Sequence, residues 1–94
     1  VTETQKVLLR IRGRVQGVCY RAWAIDEATR RGLTGWIRNR QDGTVEVLIS
    51  GSEDAITGMI DVCKQGPPVA DVTEIEVQIT EEEAGLAFVT RPTT

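Results

Sequence analysis

Apolar and basic residues alternate from Lys6 to Val15, with Val7, Leu9 and Ile11 on one side and Leu8, Arg10 and Arg12 largely on the other. A period of two built on branched aliphatic residues predicts a strand buried on one face. From Tyr20 to Arg31 the period lengthens. Tyr20, Ala24 and Ala28 recur every fourth residue beside Trp23 and Ile25, with Asp26, Glu27, Arg30 and Arg31 elsewhere on the wheel, an amphipathic helix stopped by Gly32. Thr34 to Arg40 and Thr44 to Ser50 read as paired strands across a Gln41-Asp42-Gly43 turn, and Val45, Val47 and Ile49 alternate in the second. Ser52 is an expected N-cap for a second helix whose Ile56, Met59, Ile60 and Cys63 share one face. Gly66, Pro67 and Pro68 forbid its continuation and lead into an extended segment, Ala70 to Thr80, carrying Ile75, Val77 and Ile79 in alternation. Val72 is out of phase with that triplet, so a bulge or twist is expected near Thr73. After the acidic run at residues 81–83, Leu86 to Arg91 is expected to form a short last strand.

This order of strand, helix, strand, strand, helix, strand predicts an α+β fold of the ferredoxin-like split βαβ type. Two right-handed crossovers joined by a hairpin give a mainly antiparallel sheet with both helices on one face and a short extra strand. The 94 residues suffice for one domain, expected to span residues 1–94, and no linker or repeat divides them.

Composition narrows the chemistry. The net charge of −3 conceals a basic half, +6 over residues 1–40, and an acidic one, −9 over residues 41–94. The basic half, which holds the glycine-containing stretch described below, would attract small anions, while the acidic remainder argues against nucleic acid. No apolar run reaches membrane-spanning length and the polar VTETQK start lacks a leader pattern, so the expected compartment is the cytosol, with no membrane partner. The chain has no histidine, and its two cysteines, Cys19 and Cys63, lack zinc-ligand spacing. Structural zinc and histidine-dependent nucleophilic mechanisms are thereby disfavoured, and two free thiols are expected in a reducing compartment.

The chain is organised around GRVQGVCYR, residues 13–21. Gly13 and Gly17 interrupt the strand pattern just before the helical one, where a tight curl can aim successive N–H groups at one point. The helix that follows contributes its unpaired first N–H groups and the positive end of its dipole, and Arg21 adds a planar fork suited to phosphate oxygens. The spacing matches neither a Walker loop nor a dinucleotide-binding GxGxxG motif. Local chemistry leaves two readings open, an anion cradle and a plain strand-to-helix connection with an exposed arginine. A cation at a helix N-terminus is unfavourable unless an anion sits there, which favours the cradle.

Taken together these residues resemble the acylphosphatase family. Its pattern G-x-V-Q-G-V-x-[FY]-R is met by Gly13, Val15, Gln16, Gly17, Val18, Tyr20 and Arg21; G-L-x-G-x-[VI]-x-N by Gly32, Leu33, Gly35, Ile37 and Asn39; and D-G-x-V-E by Asp42, Gly43, Val45 and Glu46. Gly66, Pro67, Pro68, Ala70 and Val72 match the stretch before the fourth strand, and Phe88 with Arg91 resembles the closing strand. The resemblance implies metal-independent, cofactor-free hydrolysis of acyl phosphates, by a monomer that inorganic phosphate or sulfate would also occupy. It assigns phosphate binding to Arg21 and to the backbone of Val15, Gln16, Gly17, Val18, Cys19 and Tyr20, and the positioning of water to Asn39. An amide both accepts and donates hydrogen bonds, so it can orient water without changing protonation state. Where the family often has threonine, this chain has Ala24.

Other readings of the same residues are a phosphate-binding or regulatory domain without turnover, and a domain of a larger protein that uses carbamoyl phosphate. An RNA-binding domain on this scaffold would need aromatic residues on its central strands, where Val7, Leu9, Val45 and Val47 stand instead. Trp23 and Trp36 are read as packing residues, and Tyr20 as the anchor of the cradle to the core.

Overall fold

The computed structural model describes residues 4–94; Val1, Thr2 and Glu3, which begin the polar N-terminal segment and the expected domain, lie outside the described residues. The elements are β1 (Gln5–Arg14), α1 (Tyr20–Arg30), β2 (Thr34–Asn39), β3 (Val45–Gly51), α2 (Glu53–Gln65), β4 (Asp71–Ile79) and β5 (Phe88–Thr90). The sheet order is β4-β1-β3-β2-β5, antiparallel throughout except that β5 runs parallel to β2. This is the ferredoxin-like arrangement expected from the sequence, with boundaries differing by one or two residues.

The core lies between the helices and one face of the sheet. Leu9, Ile11, Val45, Val47, Ile49 and Ile37 are inaccessible to solvent there, against Ala24, Ala28, Ile56, Met59 and Cys63 from the helices. Each large aliphatic side chain so buried contributes roughly 1.5–3 kcal/mol. Ser52 caps α2 by accepting from the Ala55 N–H at 3.2 Å, and Glu53 and Asp54 stand in the first turn, where the helix dipole favours acids. Ala24 is wholly buried in this core, so α1 presents no hydroxyl at that position.

The expected irregularity in β4 is present. Arg12 pairs with Glu74 but Gly13 pairs with Val72, leaving Thr73 unmatched as a bulge. Gly13 is required at this point: at φ 121° a Cβ would strike the Asp71 carbonyl and the Thr73 nitrogen. Farther along β4, Val77 and Ile79 are 52% and 85% exposed, although they continue the alternation of Ile75. Of these three only Ile75 packs against the core, because β4 is an edge strand whose far end the core does not reach.

The other face of the sheet is polar and cross-linked. Glu46, 5% exposed, is approached by Arg38 Nε at 2.7 Å, Arg40 Nη1 at 3.4 Å and Arg10 Nη2 at 3.5 Å. Arg10 also reaches Asp42, and Arg12 donates to Glu76 at 2.6 Å. Trp36 lies beneath the guanidinium groups of Arg38 and Arg91, 4.7 and 4.8 Å from its ring centre, a favourable cation–π arrangement. Trp36 is therefore a packing residue, on the face away from the helices.

Candidate active site

The stretch between β1 and α1 folds as a curl pinned from inside. Val15, Val18 and Tyr20 are buried, while Gly17 and Cys19 stand exposed between them with φ of 73° and 63°. Buried anchors thus alternate with residues in the left-handed conformation. Glycine meets the left-handed requirement freely at Gly17, whereas Cys19 does so against a penalty of about 1–2 kcal/mol.

Among the described residues, no acceptor is found for the N–H groups from Gln16 to Ala22; the first bond of the helix is Trp23 N–H to Cys19 C=O, at 3.1 Å. Cys19, in the N-cap position, offers no side-chain cap, and no acid stands in the first turn of α1. The contrast with α2, which has a side-chain cap at Ser52, is informative. One helix start is closed by its own serine and acids, and the other is left as a concentration of unpaired donors beside Arg21, which makes no ion pair among the described residues.

Most of the residues that carry these donors, Gly17, Cys19, Tyr20, Arg21 and Ala22, line a pocket of about 390 Å³ together with Val15, Ile25, Asn39 and Thr90. Asn39 reaches it because β2 alternates: Ile37 points into the core, so Asn39, two residues on, shares the helix side. Asn39 Oδ1 is buried and finds no donor among the described residues. Thr90 joins from β5, whose parallel ladder sets it against Ile37.

Gln16 and Val18 fall outside the pocket lining. The Gln16 side chain serves another purpose, donating from Nε2 to the carbonyls of Arg40 and Thr44, both at 2.8 Å, and so fastening the curl to the β2–β3 hairpin. Asp42 completes that hairpin by accepting from the Thr44 hydroxyl at 2.6 Å and from the Thr44 N–H at 3.0 Å; these two bonds, chiefly that from the hydroxyl, hold its carboxyl below the ordinary carboxylate range. Tyr20 donates to the Cys63 carbonyl at 2.6 Å, and burial, chiefly, pushes its phenol well above the ordinary value. The two cysteines stay apart as free thiols, Cys19 exposed and Cys63 buried.

One expectation is corrected by the geometry. Of the arginines that make the first half of the chain basic, Arg10, Arg12, Arg38 and Arg40 do not line the pocket; they lie on the opposite face and are engaged by carboxylates. Among the described residues, Arg21 is the one charged side chain lining the pocket. Thr90 was not foreseen as a lining residue, since nothing local in a three-residue strand says which neighbour it will join.

The acylphosphatase family model matches residues 7–89. The chain belongs to the acylphosphatase family. An acylphosphatase of Azorhizobium caulinodans is 50% identical over 86 residues, covering 90% of this chain and 92% of that protein. The crystal structure of acylphosphatase from Bacillus subtilis superposes with a TM-score of 0.88 at 36% identity, covering 95% of this chain and 99% of that one. A further structural match is to full-length HypF in its phosphate- and nucleotide-bound form, with a TM-score of 0.90 at 25% identity, where 99% of this chain covers 12% of the larger one. Among the described residues, no helix is long and apolar enough to cross a membrane.

Proposed function

We propose that the protein hydrolyses acyl phosphates, the mixed anhydrides of a carboxylic acid and phosphoric acid, to carboxylate and inorganic phosphate. The observation that carries this reading is that Gly17, Cys19, Tyr20, Arg21 and Ala22, whose N–H groups find no acceptor among the described residues, line the same pocket as Asn39 and the Arg21 side chain. A phosphoryl group supplies the missing acceptors, and its negative charge meets both the helix dipole and the guanidinium.

In this mechanism the phosphoryl oxygens lie among the N–H groups between Val15 and Tyr20, and Arg21 binds them in a fork. Asn39 accepts a hydrogen bond from water through Oδ1 and directs that water at phosphorus, opposite the acyl oxygen. As the new P–O bond forms, the bond to the acyl oxygen breaks and its electron pair leaves with the carboxylate. A phosphate oxygen takes the proton from the attacking water. The leaving group is already good, so orientation and charge stabilisation supply most of the rate, and no histidine is needed. The orphaned Asn39 Oδ1 supports the role given to it, since a buried acceptor without a donor is costly unless a ligand or water completes it.

We read the reaction as metal-independent, the pocket's side chains including no carboxylate or imidazole to hold a divalent ion. The two separate thiols suit a cytoplasmic protein, and we take it to act as a monomer.

Substitution decides the matter. Arg21→Ala and Asn39→Ala should each lower acyl phosphate hydrolysis about a hundredfold or more with the fold retained, the order of effect of one preorganised polar group. Near-normal turnover by either variant refutes the role assigned to that residue, and loss of activity with a chelator refutes metal independence. The likeness to part of HypF favours one other reading, a phosphate-binding domain without turnover of its own. Binding of inorganic phosphate with no hydrolysis of any acyl phosphate would select it.

A further inference from the structure

The pocket extends beyond what a phosphate needs. Arg21, Ala22 and Ile25 fall at three- and four-residue spacing and so occupy one stripe of α1, leading away from the cradle. Thr90 faces this stripe from β5, which sits next to β2 in the sheet and packs beside α1. The nearest acids on α1 are held elsewhere: Asp26 accepts from Arg30 at 2.8 Å, and Glu27 from Arg31 at 2.6 Å.

We infer that the groove between Ala22 and Ile25 of α1 and Thr90 of β5 receives the acyl group, and that Ile25 sets a preference for uncharged, apolar acyl groups long enough to reach it. The inference rests on the function proposed above and adds the substrate class. With the phosphate held at the start of α1, the acyl carbon must leave the cradle along an open direction, and the pocket continues along this stripe. Ile25 lies four residues, about 6 Å along the helix, beyond Arg21. A two-carbon acyl group ends short of it, whereas an aromatic or branched acyl group covers it and removes apolar surface from water. An acyl group bearing a second carboxylate meets no cation in the groove, because Arg21 is engaged by the phosphate, and it loses hydration against Ile25.

The test compares kcat/KM for benzoyl, acetyl and succinyl phosphate, with the inhibition constant of inorganic phosphate measured beside them. The wild type should rank benzoyl above acetyl and acetyl above succinyl phosphate. Ile25→Ala should lower the benzoyl-to-acetyl ratio about tenfold, the scale of discrimination lost when a hydrophobic pocket is cut back, while the phosphate inhibition constant stays within about twofold. Ile25→Lys should raise the succinyl-to-benzoyl ratio by about tenfold or more, and so reads the same groove even if the alanine variant folds poorly. Equal changes for all three substrates in both variants, or a wild type that does not discriminate, overturn the groove while leaving the hydrolytic function standing. A wild type that binds inorganic phosphate but turns over none of the three overturns both.

Discussion

The Tyr20 hydroxyl donates to the Cys63 carbonyl across 2.6 Å, joining the first residue of α1 to the last turn of α2. In an uninterrupted helix that carbonyl would accept from the residue four positions on, which is Pro67 and has no N–H. The tyrosine thus satisfies an orphan acceptor created by the proline that ends α2, and the same bond steadies the base of the cradle. Trp23 supports it from the side, its ring meeting the Tyr20 ring edge-on at 5.3 Å between centres.

Removal of that hydroxyl should be felt mainly as stability. Tyr20→Phe leaves the Cys63 carbonyl buried without a donor and should cost about 1–3 kcal/mol in denaturant unfolding, the usual penalty for an unsatisfied buried group. An unfolding midpoint unchanged from wild type would show that the bond contributes nothing.

Gln16 offers a separate test of positioning. Its side chain spans the curl and the hairpin without lining the pocket, so Gln16→Ala should loosen the cradle by releasing two hydrogen bonds. We expect weaker phosphate inhibition and a higher KM, with a stability loss of about 1–2 kcal/mol. Phosphate inhibition as tight as in the wild type would confine Gln16 to a structural role.

Cys19 carries a backbone conformation that suits glycine better. Cys19→Gly should stabilise the fold by about 1 kcal/mol, the left-handed penalty removed less the extra freedom of the unfolded chain. Thermal unfolding checks it, and a lowered midpoint would contradict it. The cradle is expected to survive, because only the N–H at this position is used.

The two thiols should react at very different rates. Burial raises the Cys63 thiol to about 11, and its side chain is inaccessible, whereas Cys19 is exposed. At pH 8 a thiol reagent should modify one site rapidly, at Cys19, and reach Cys63 only on unfolding. Two equally fast sites would mean that the packing around Cys63 opens readily.

Acid should weaken the hairpin through Asp42. Its carboxyl is held below the ordinary range, first by the Thr44 hydroxyl and then by the Thr44 N–H. A folded-state value below the unfolded one means that the stabilisation is complete above the unfolded carboxylate value and is lost as pH falls through the folded one. Asp42→Asn should therefore flatten the pH dependence of stability on the acid side by lowering stability near neutrality, where the ionised carboxylate contributes, while changing little at pH below the folded value. An unaltered acid limb would remove Asp42 from the account.

Much of this molecule was legible in its sequence because local rules and global fold agree. Alternation in β1 and β3, the Ser52 cap and the Gly66-Pro67-Pro68 stop each act within a few residues. Even the bulge at Thr73 showed, as a phase error at Val72. Arg21 and Asn39 carried their own signals, one as a cation placed against a helix dipole and the other through the family pattern. What escaped depends on partners distant in the chain. The parallel docking of β5 that brings Thr90 to the pocket has no local signature, nor has the reach of Gln16 to the hairpin. The arginines of β1 and β2 could be counted in advance, but their assignment to the far face required the register that sets Arg10 and Arg38 on either side of Glu46.

Strand β1 sits between β3 and β4, neither of them its neighbour in sequence. Every rung it forms must first close a long stretch of flexible chain, an entropic toll that slows the search for the native topology. Refolding from denaturant should accordingly run on the millisecond-to-second scale of non-local sheets, slower than the microseconds open to a helical bundle. The proposed anion cradle, hung from the end of that interior strand, is complete only when this search is over.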